Sequence, residues 1–267
     1  MGCNMKPEHK EEMKKRKRNI KLTLSYDGTR YHGFQRQNNA LAVQNILEEK
    51  LALVFGDTIE LAASGRTDAG VHAIGQVVNF FTDGTIPVDR IQRAVNSLLP
   101  EDIVILDAAE AARDFSARHS AKSKVYIYKI QQGEVQDPFL RYYSWHIRRE
   151  LNVLAMQEAL NYILGEHDFS SFQATGSVAM DPVRTIYKTS CNREGNLLQV
   201  TFWGNGFLYH MVRNLIGTLV NVGLGKMTPK RFLEVLLACD RQQAGATAPA
   251  RGLYLSHVYY EEQDAFQ

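Results

Sequence analysis

The sequence lacks any long apolar run. No stretch approaches the roughly 20 consecutive apolar residues that a membrane-spanning helix needs. The amino terminus also lacks the hydrophobic segment of a secretory signal, because residues 1–18 are dominated by lysine and arginine. These two absences predict a soluble, cytoplasmic protein.

Cysteine is scarce, with 3 residues in a chain of 267. Cys3, Cys191 and Cys239 are an odd number at unrelated spacings, so they form neither a disulfide framework nor a CxxC metal clamp. The 8 histidines show no HExxH or CxxH spacing. We therefore expect reduced thiols and no bound metal.

Motifs for nucleotide cofactors and for serine hydrolysis are also missing. The run "GLGKMT" (residues 223–228) is too short for a phosphate-binding loop and follows a predicted helix instead of opening one. The run "GNGFLYHMV" (204–212) has neither the dinucleotide-binding spacing nor the aromatic pattern of the RNA-recognition signature. No GxSxG elbow occurs. These function classes lose support.

Positive charge is concentrated at one end of the chain. The formal net charge is +2, but residues 1–18 carry seven basic against three acidic residues, a charge of +4. The remaining body has 24 basic and 26 acidic residues, a charge of −2. A nucleic-acid site in the body must therefore come from local clustering. The tail is predicted to be disordered, either as a solvated arm or as an auxiliary phosphate contact.

The first half of the chain follows a β-α-β-β-α-β pattern. "IKLTLSY" (20–26) alternates apolar and polar residues, which is typical of a half-buried strand. A helix is predicted from Val43 to a stop at Gly56, and a second helix over residues 87–99. The other predicted strands are "TIELAAS" (58–64), "QVVNFFT" (76–82) and "DIVILDA" (102–108).

The second half repeats this pattern with one extra helix. Its helices are predicted over residues 151–164, over 207–222 and from Thr228-Pro229. Its strands are "KVYIYKI", "VRTIYKTSC", "LLQVTFW" and "LYLSHVYY", and Gly195 provides a hairpin turn. The simplest architecture is α+β, with two tandem ferredoxin-like units built on antiparallel sheets. The predicted divisions are a basic tail (1–18), an N-terminal domain (19–110) and a C-terminal domain (111–267).

One loop places a single acid beside an arginine and between two glycines. "AASGRTDAGVHA" (62–73) has Asp68 two residues after Arg66, directly behind a predicted strand. The aspartate could cap backbone amides in a tight turn, the commonest role for an acid in such a position. The glycines equally suit a place where the backbone approaches a ligand closely. The loop alone leaves both interpretations open.

Six motifs in the chain resemble those of the tRNA pseudouridine synthase A family. They occur in the family's order and span nearly the whole chain after the tail. The motifs are "YDGTRYHGFQRQ" (26–37), "SGRTDAGVHA" (64–73), "FSARHSAKSKVYIY" (115–128), "HDFSSF" (167–172), "GFLYHMVRNLIGTL" (206–219) and "PARGLYL" (249–255). Two features depart from the family pattern, since Phe34 stands where tryptophan is usual and the lysine-rich tail is an addition.

The resemblance implies a fold and an activity. The fold would be a duplicated ferredoxin-like fold whose sheets form a central, basic cleft. The activity would be conversion of uridine to pseudouridine at positions 38, 39 and 40 of the tRNA anticodon stem-loop. The enzyme would act as a homodimer on tRNA, without any cofactor, metal or membrane.

The resemblance also assigns catalytic roles residue by residue. Asp68 would be the reacting carboxylate, either as nucleophile or as proton abstractor. Arg213 would keep that carboxylate ionised. Arg66 would occupy the space left by the extruded base. Tyr126 would stack on the uracil and help to move a proton, and Leu253 would pack nearby.

The sequence pattern alone does not identify the active-site tyrosine or the phosphate-binding residues. Tyr126 and Tyr128 share one face of a predicted strand, so periodicity does not choose between them. Phosphate contacts are expected from basic side chains in or beside the motifs. These are Arg30, Arg36, Lys122, Lys124 and Arg118.

Two other function classes compete with this interpretation. A ferredoxin-like sheet could serve as a non-catalytic RNA-binding module. An aspartate-dependent phosphatase or glycosidase would need a second matched carboxylate or a metal near Asp68, which "RTDAGVH" does not supply. The intact "GRTDAG" loop favours the synthase.

Overall fold

The computed structural model describes residues 16–37, 39–174 and 181–261, and it has a mixed α+β architecture. The chain forms two compact units that divide between Ala121 and Lys122. The described residues of the first unit are 16–37, 39–121 and 255–261, and those of the second are 122–174 and 181–254. The domains predicted over 19–110 and 111–267 are defined by the repeated sequence pattern, and their limits stay a prediction.

The first unit contains an antiparallel sheet and two helices. Its strands along the chain are β1 (Arg18–Tyr26), β2 (Ala62–Ala63), β3 (His72–Thr82) and β4 (Ile103–Ala111). Strand β1 lies between β4 and β3, and β2 pairs with the other edge of β3. The helices are α1 (Val43–Phe55) and α2 (Val88–Asn96).

The core of the first unit follows from the alternation in β1. Its inward side chains Ile20, Leu22 and Leu24 are fully buried. The apolar faces of both helices are buried as well, including Leu47 and Leu51 of α1 and Ile91 and Val95 of α2. The rings of Phe55 and Phe80 meet edge to face with centroids 5.2 Å apart.

The second unit contains a sheet in the order β5-β9-β8-β7. The strands are β5 (Ser123–Gln132), β6 (Trp145–Ile147), β7 (Gly165–Asp168), β8 (Val183–Glu194) and β9 (Leu197–Gly204), and β6 runs parallel to β5. The helices are α3 (Val153–Asn161), α4 (Met211–Gly223) and α5 (Pro229–Leu237). A last strand, β10 (Leu253–Tyr259), ends the described chain, and from Leu255 it belongs to the first unit.

The structure confirms most predicted elements and changes several limits. The strand predicted over 58–64 shrinks to Ala62–Ala63. The helix predicted over 151–164 spans Val153–Asn161, because the Asn152 side chain accepts a hydrogen bond from Ala155 N and caps its start. The helix predicted from residue 207 begins at Met211, since His210 adopts a left-handed conformation (φ 58°). Strands β6 and β7 were not predicted.

Most of the predicted basic tail, residues 1–15, lies outside the described residues. Its last residue, Arg18, is the first residue of β1 and pairs with Glu110 at 2.6 Å. In the part of the chain that the structure covers, every helix is too short or too polar to cross a membrane. Both described cysteines, Cys191 and Cys239, are free thiols.

Candidate active site

Asp68 lies in the loop that joins β2 to β3, and its side chain is partly exposed. The turn after it is closed by main-chain atoms, because Val71 N donates to Asp68 O at 3.1 Å. The carboxylate is therefore not needed for that hydrogen bond.

The segment Gly28–Phe34 holds the Asp68 loop through its backbone. Phe34 N donates to Thr67 O and Gly70 N donates to Tyr31 O, both at 3.1 Å. Gly33 has φ +86°, and a Cβ there would lie 2.5 Å from Thr67 O. Only glycine allows both this conformation and this approach. Two motifs that are far apart in sequence therefore form one packed substructure.

Buried polar side chains support the loop from below. The Tyr26 hydroxyl lies 2.7 Å from Thr67 Oγ1, and Gln76 Nε2 donates to Gly65 O at 2.9 Å. Ser64 Oγ donates to Gln76 Oε1 at 2.6 Å. The sequence alone does not reveal these contacts, because Tyr26 fits the apolar alternation of β1. The available signal was Gln76, a polar residue at the start of a predicted buried strand.

Arg66 and Arg118 of the first unit lie close enough for their positive charges to interact, and Arg66 is two residues before Asp68 in sequence. Both side chains are exposed. Burial lowers the pKa of Arg66, and the positive charge of Arg118 lowers it further. An anion that contacts both guanidinium groups would relieve this repulsion, and a phosphate has the geometry to accept from each.

Arg30 and Arg36 each have an acidic partner in the first unit. Arg30 Nη2 lies 2.6 Å from Asp102 Oδ2, while its side chain remains 70% exposed. Arg36 Nη1 lies 2.8 Å from Glu48 Oε2, and Glu48 is buried, which raises the pKa of its carboxyl group. Arg30 is thus better placed to reach an external phosphate than Arg36.

Tyr126 and Tyr128 on β5 differ in how their rings are held. The Tyr128 hydroxyl donates to Pro249 O at 2.8 Å, and the side chain is fully buried. Tyr126 keeps 8% of its surface exposed, and its ring meets the edge of Phe207 with centroids 4.9 Å apart. The Tyr128 side chain is therefore more deeply buried than that of Tyr126, and its hydroxyl binds the backbone of Pro249.

Arg213 lies in the first turn of α4, where the segment 244–252 fixes it. Its Nε donates to Ala248 O at 2.8 Å, and Ala248 N donates to Arg213 O at 3.1 Å. Burial raises the pKa of Tyr128, and the charges of Arg213 and Arg251 oppose this increase. Arg213 therefore lies close enough to β5 to act electrostatically on its buried tyrosine.

The remaining predicted residues of the second unit lie on or beside the strands β5 and β10. Leu253 begins β10 and is 5% exposed. Lys122 is exposed just before β5, and Lys124 is partly buried within it. No group of three or more histidine, cysteine or acidic residues capable of holding a metal ion occurs in residues 16–37, 39–174 and 181–261.

Comparisons with known proteins agree with the motifs. A family model described as tRNA pseudouridine synthase matches residues 23–120 and 159–261. A protein of Acetivibrio thermocellus named "tRNA pseudouridine synthase A" is 45% identical over 243 residues, covering 91% of this chain and 100% of that protein. Proteins of the same name from Ruminiclostridium cellulolyticum and Brevibacillus brevis are 46% identical over 244 and 241 residues. They cover 91% and 90% of this chain, and 100% and 99% of their own lengths.

Likeness to solved structures is remote. The chain resembles a structure titled "Crystal Structure of a Cbf5-Nop10-Gar1 Complex" with 11% identity and a TM-score of 0.37. The match covers 94% of this chain and 61% of that chain. A similarity at this level adds nothing to the assignment, whereas the sequence comparisons confirm the resemblance drawn from the six motifs.

Proposed function

Because the chain belongs to the tRNA pseudouridine synthase family, we propose that it converts uridine to pseudouridine in the tRNA anticodon stem-loop, with Asp68 as the reacting carboxylate. The class of enzyme, a tRNA-modifying isomerase, follows from the family itself. The choice of the anticodon stem-loop and the role of Asp68 go beyond the family and are proposals.

The reaction sets clear chemical demands. The bond between uracil N1 and ribose C1′ breaks, the base turns, and a new bond forms between C5 and C1′. A proton leaves C5 and N1 gains one, so atoms balance within one nucleotide and no redox agent or phosphate donor is required. An ionised carboxylate can start the reaction either by attacking C1′ or by taking a proton from the sugar.

The observation that carries the proposal is the way the Asp68 loop is held. Main-chain hydrogen bonds from Phe34 N, Gly70 N and Val71 N fix the backbone on both sides of the carboxylate, and the side chain stays partly exposed. A reacting group needs such a fixed backbone, because small misplacements cost large factors in rate.

Other residues are proposed to serve the same reaction. Flipping the uridine out of its stack costs a few kcal/mol. Arg66 would occupy the space that the flipped base leaves. Tyr126 would stack on the extruded base, and Leu253 would pack against it. Arg213 would act as the cation that favours the ionised carboxylate.

Binding of tRNA would use the positive side chains around these residues. The exposure of Arg66, Arg118, Arg30 and Lys122 supports phosphate contacts at those positions. Arg36 and Lys124 are also proposed to contact phosphates, although their side chains are less exposed. Two tandem ferredoxin-like units, a homodimer, a cytoplasmic location and the absence of a cofactor complete it.

The test uses undermodified tRNA and three forms of the protein. Wild type is expected to form pseudouridine in the anticodon stem-loop, mapped by nucleotide, and Asp68→Asn to form none above background. Asp89→Asn removes an exposed acid from the first turn of α2 and should react like wild type. Product from Asp68→Asn would overturn the catalytic role, and product only outside the stem-loop would overturn the specificity.

A further inference from the structure

Four buried polar side chains lie within the Asp68 loop or on the strands β1 and β3 beside it. Tyr26 is 3% exposed, Ser64 1%, Thr67 7% and Gln76 0%. Burying polar groups is unfavourable unless each one is hydrogen-bonded. Tyr26 also continues the inward alternation of Ile20, Leu22 and Leu24, a position that phenylalanine would fill equally well for packing. The hydroxyl therefore calls for an explanation other than core formation.

The four side chains form a connected hydrogen-bond network. The Tyr26 hydroxyl and Thr67 Oγ1 lie 2.7 Å apart. Gln76 uses both ends of its amide, since Nε2 donates to Gly65 O at 2.9 Å and Oε1 accepts from Ser64 Oγ at 2.6 Å and from Val77 N at 3.1 Å. Burial raises the pKa of Tyr26, while hydrogen bonds with Thr67 and Gln76 oppose this increase. A tyrosine is neutral at physiological pH even when exposed, and the raised pKa keeps this phenol protonated to a higher pH.

The network holds the chain where it enters Asp68. Gly65 and Thr67, the neighbours of Arg66, are fixed through a carbonyl and a hydroxyl. Thr67 is fixed a second time through its carbonyl, which accepts from Phe34 N. The next turn is closed from the other side by Val71 N. Asp68 thus lies between two anchored points, and the network supplies the first.

We propose that Tyr26, Thr67 and Gln76 are positioning residues, whose buried hydrogen bonds orient the Asp68 carboxylate for the reaction. This inference rests on the proposed function of Asp68. The three side chains have no direct role in chemistry, and their effect passes through the backbone of residues 65–68. A displacement of about 1 Å at a reacting group can cost about 100-fold in rate.

The experiment compares Tyr26→Phe with a matched control in the same unit. Tyr26→Phe keeps the ring, which lies 6.1 Å from the ring of Phe34, and removes only the hydroxyl. Tyr260→Phe also removes a hydroxyl that burial keeps protonated, here one that donates to Ala117 O at 2.8 Å. Single-turnover rates with saturating enzyme, tRNA affinity and urea unfolding are measured for both variants.

We expect the rate of Tyr26→Phe to fall about 10-fold to 100-fold while tRNA affinity stays within about 2-fold of wild type. Tyr260→Phe should keep the wild-type rate at an equal or larger loss of stability. Equal rates for Tyr26→Phe and wild type would overturn the inference. So would a loss of rate that both variants share in proportion to their loss of stability.

A second pair of variants keeps the inference testable if Tyr26→Phe fails to fold. Thr67→Ser retains the hydroxyl and should retain the rate, whereas Thr67→Val removes it and should lose the rate. The double variant Tyr26→Phe/Thr67→Val should be no slower than the slower single variant. Each single variant already removes the hydrogen bond between the Tyr26 and Thr67 hydroxyls, so the second substitution has no such bond left to remove. Additive losses would contradict a shared bond. Failure of the proposed function looks different, since wild type would then form no product or Asp68→Asn would form it.

Discussion

The two units hold their proposed functional residues in different ways. In the first unit, buried hydroxyl and amide groups fix a loop whose proposed reacting residue, Asp68, stays partly exposed. In the second unit, the segment 244–252 crosses α4 so closely that a Cβ on Gly217 would lie 1.7 Å from Ala246 O. The first arrangement gives orientation at the cost of buried polar groups. The second gives rigidity through direct contact of two backbones.

The largest expected effect comes from closing the space in the second unit. Gly217→Ala places a methyl group against the Ala246 carbonyl, so the segment that holds Arg213 must move. We expect the free energy of unfolding to fall by about 3 kcal/mol or more, measured by urea unfolding. In the control, Gly206→Ala, the nearest atom to the new Cβ is the Arg184 Nε at 3.5 Å. Equal stability of the two variants would refute the tight crossing.

Removing the charge of Arg213, in the first turn of α4, tests whether this residue serves turnover or substrate binding. Arg213→Ala is expected to lower turnover about 100-fold, because a preorganised cation is lost. The affinity for tRNA should change by less than about 3-fold. Rapid-quench turnover and filter binding measure the two quantities. Equal losses of turnover and affinity would assign Arg213 to substrate binding instead.

Removing the hydroxyl group of each tyrosine of β5 tests whether that group serves turnover or stability. Tyr126→Phe should lower turnover roughly 10-fold, because its hydroxyl is proposed to help move a proton. Tyr128→Phe should instead lower the free energy of unfolding by about 1 kcal/mol, because Pro249 O loses its donor. Turnover of Tyr126→Phe at the wild-type rate would remove that hydroxyl from the mechanism.

The smallest effect is expected at the arginine pair of the first unit. Arg66→Ala and Arg118→Ala should each weaken tRNA binding and lower the slope of log affinity against log salt by about 1. Binding is measured over a range of salt concentrations. Glu101→Gln, at an exposed acid of the same unit, serves as the control and should leave the slope unchanged. A slope unaffected by Arg118→Ala would remove that residue from the phosphate contacts.

Regular elements were predictable where pattern and cap agree. Helix α1 ends at Gly56 in a left-handed conformation (φ 66°), and α5 begins after Thr228, whose side chain accepts from Arg231 N. The strand predicted over 58–64 was overestimated. Its apolar residues Ile59 and Leu61 are buried, but the contact with β3 is limited to Ala62, Ala63 and the bond from Ser64 N to Val77 O. Burial alone produced the same pattern as a strand.

The candidate site was only partly predictable. The motif located the Asp68 loop, but the contact of Tyr26 with Thr67 joins residues 41 positions apart, and no local pattern reveals it. Periodicity placed Tyr126 and Tyr128 on one face and could not show that only Tyr128 donates to Pro249 O. Long-range hydrogen bonds decide these roles, and a single sequence does not contain them explicitly.

The protonated phenol of Tyr26 affects the folding stability of the protein at high pH. In the unfolded chain this group releases its proton near pH 10, whereas burial in the folded unit raises its pKa above that value. The unfolded state therefore gains stability relative to the fold as the pH rises beyond about 10. The contribution of Tyr26 to stability is complete below that pH, so the free energy of unfolding should decrease progressively in stronger base.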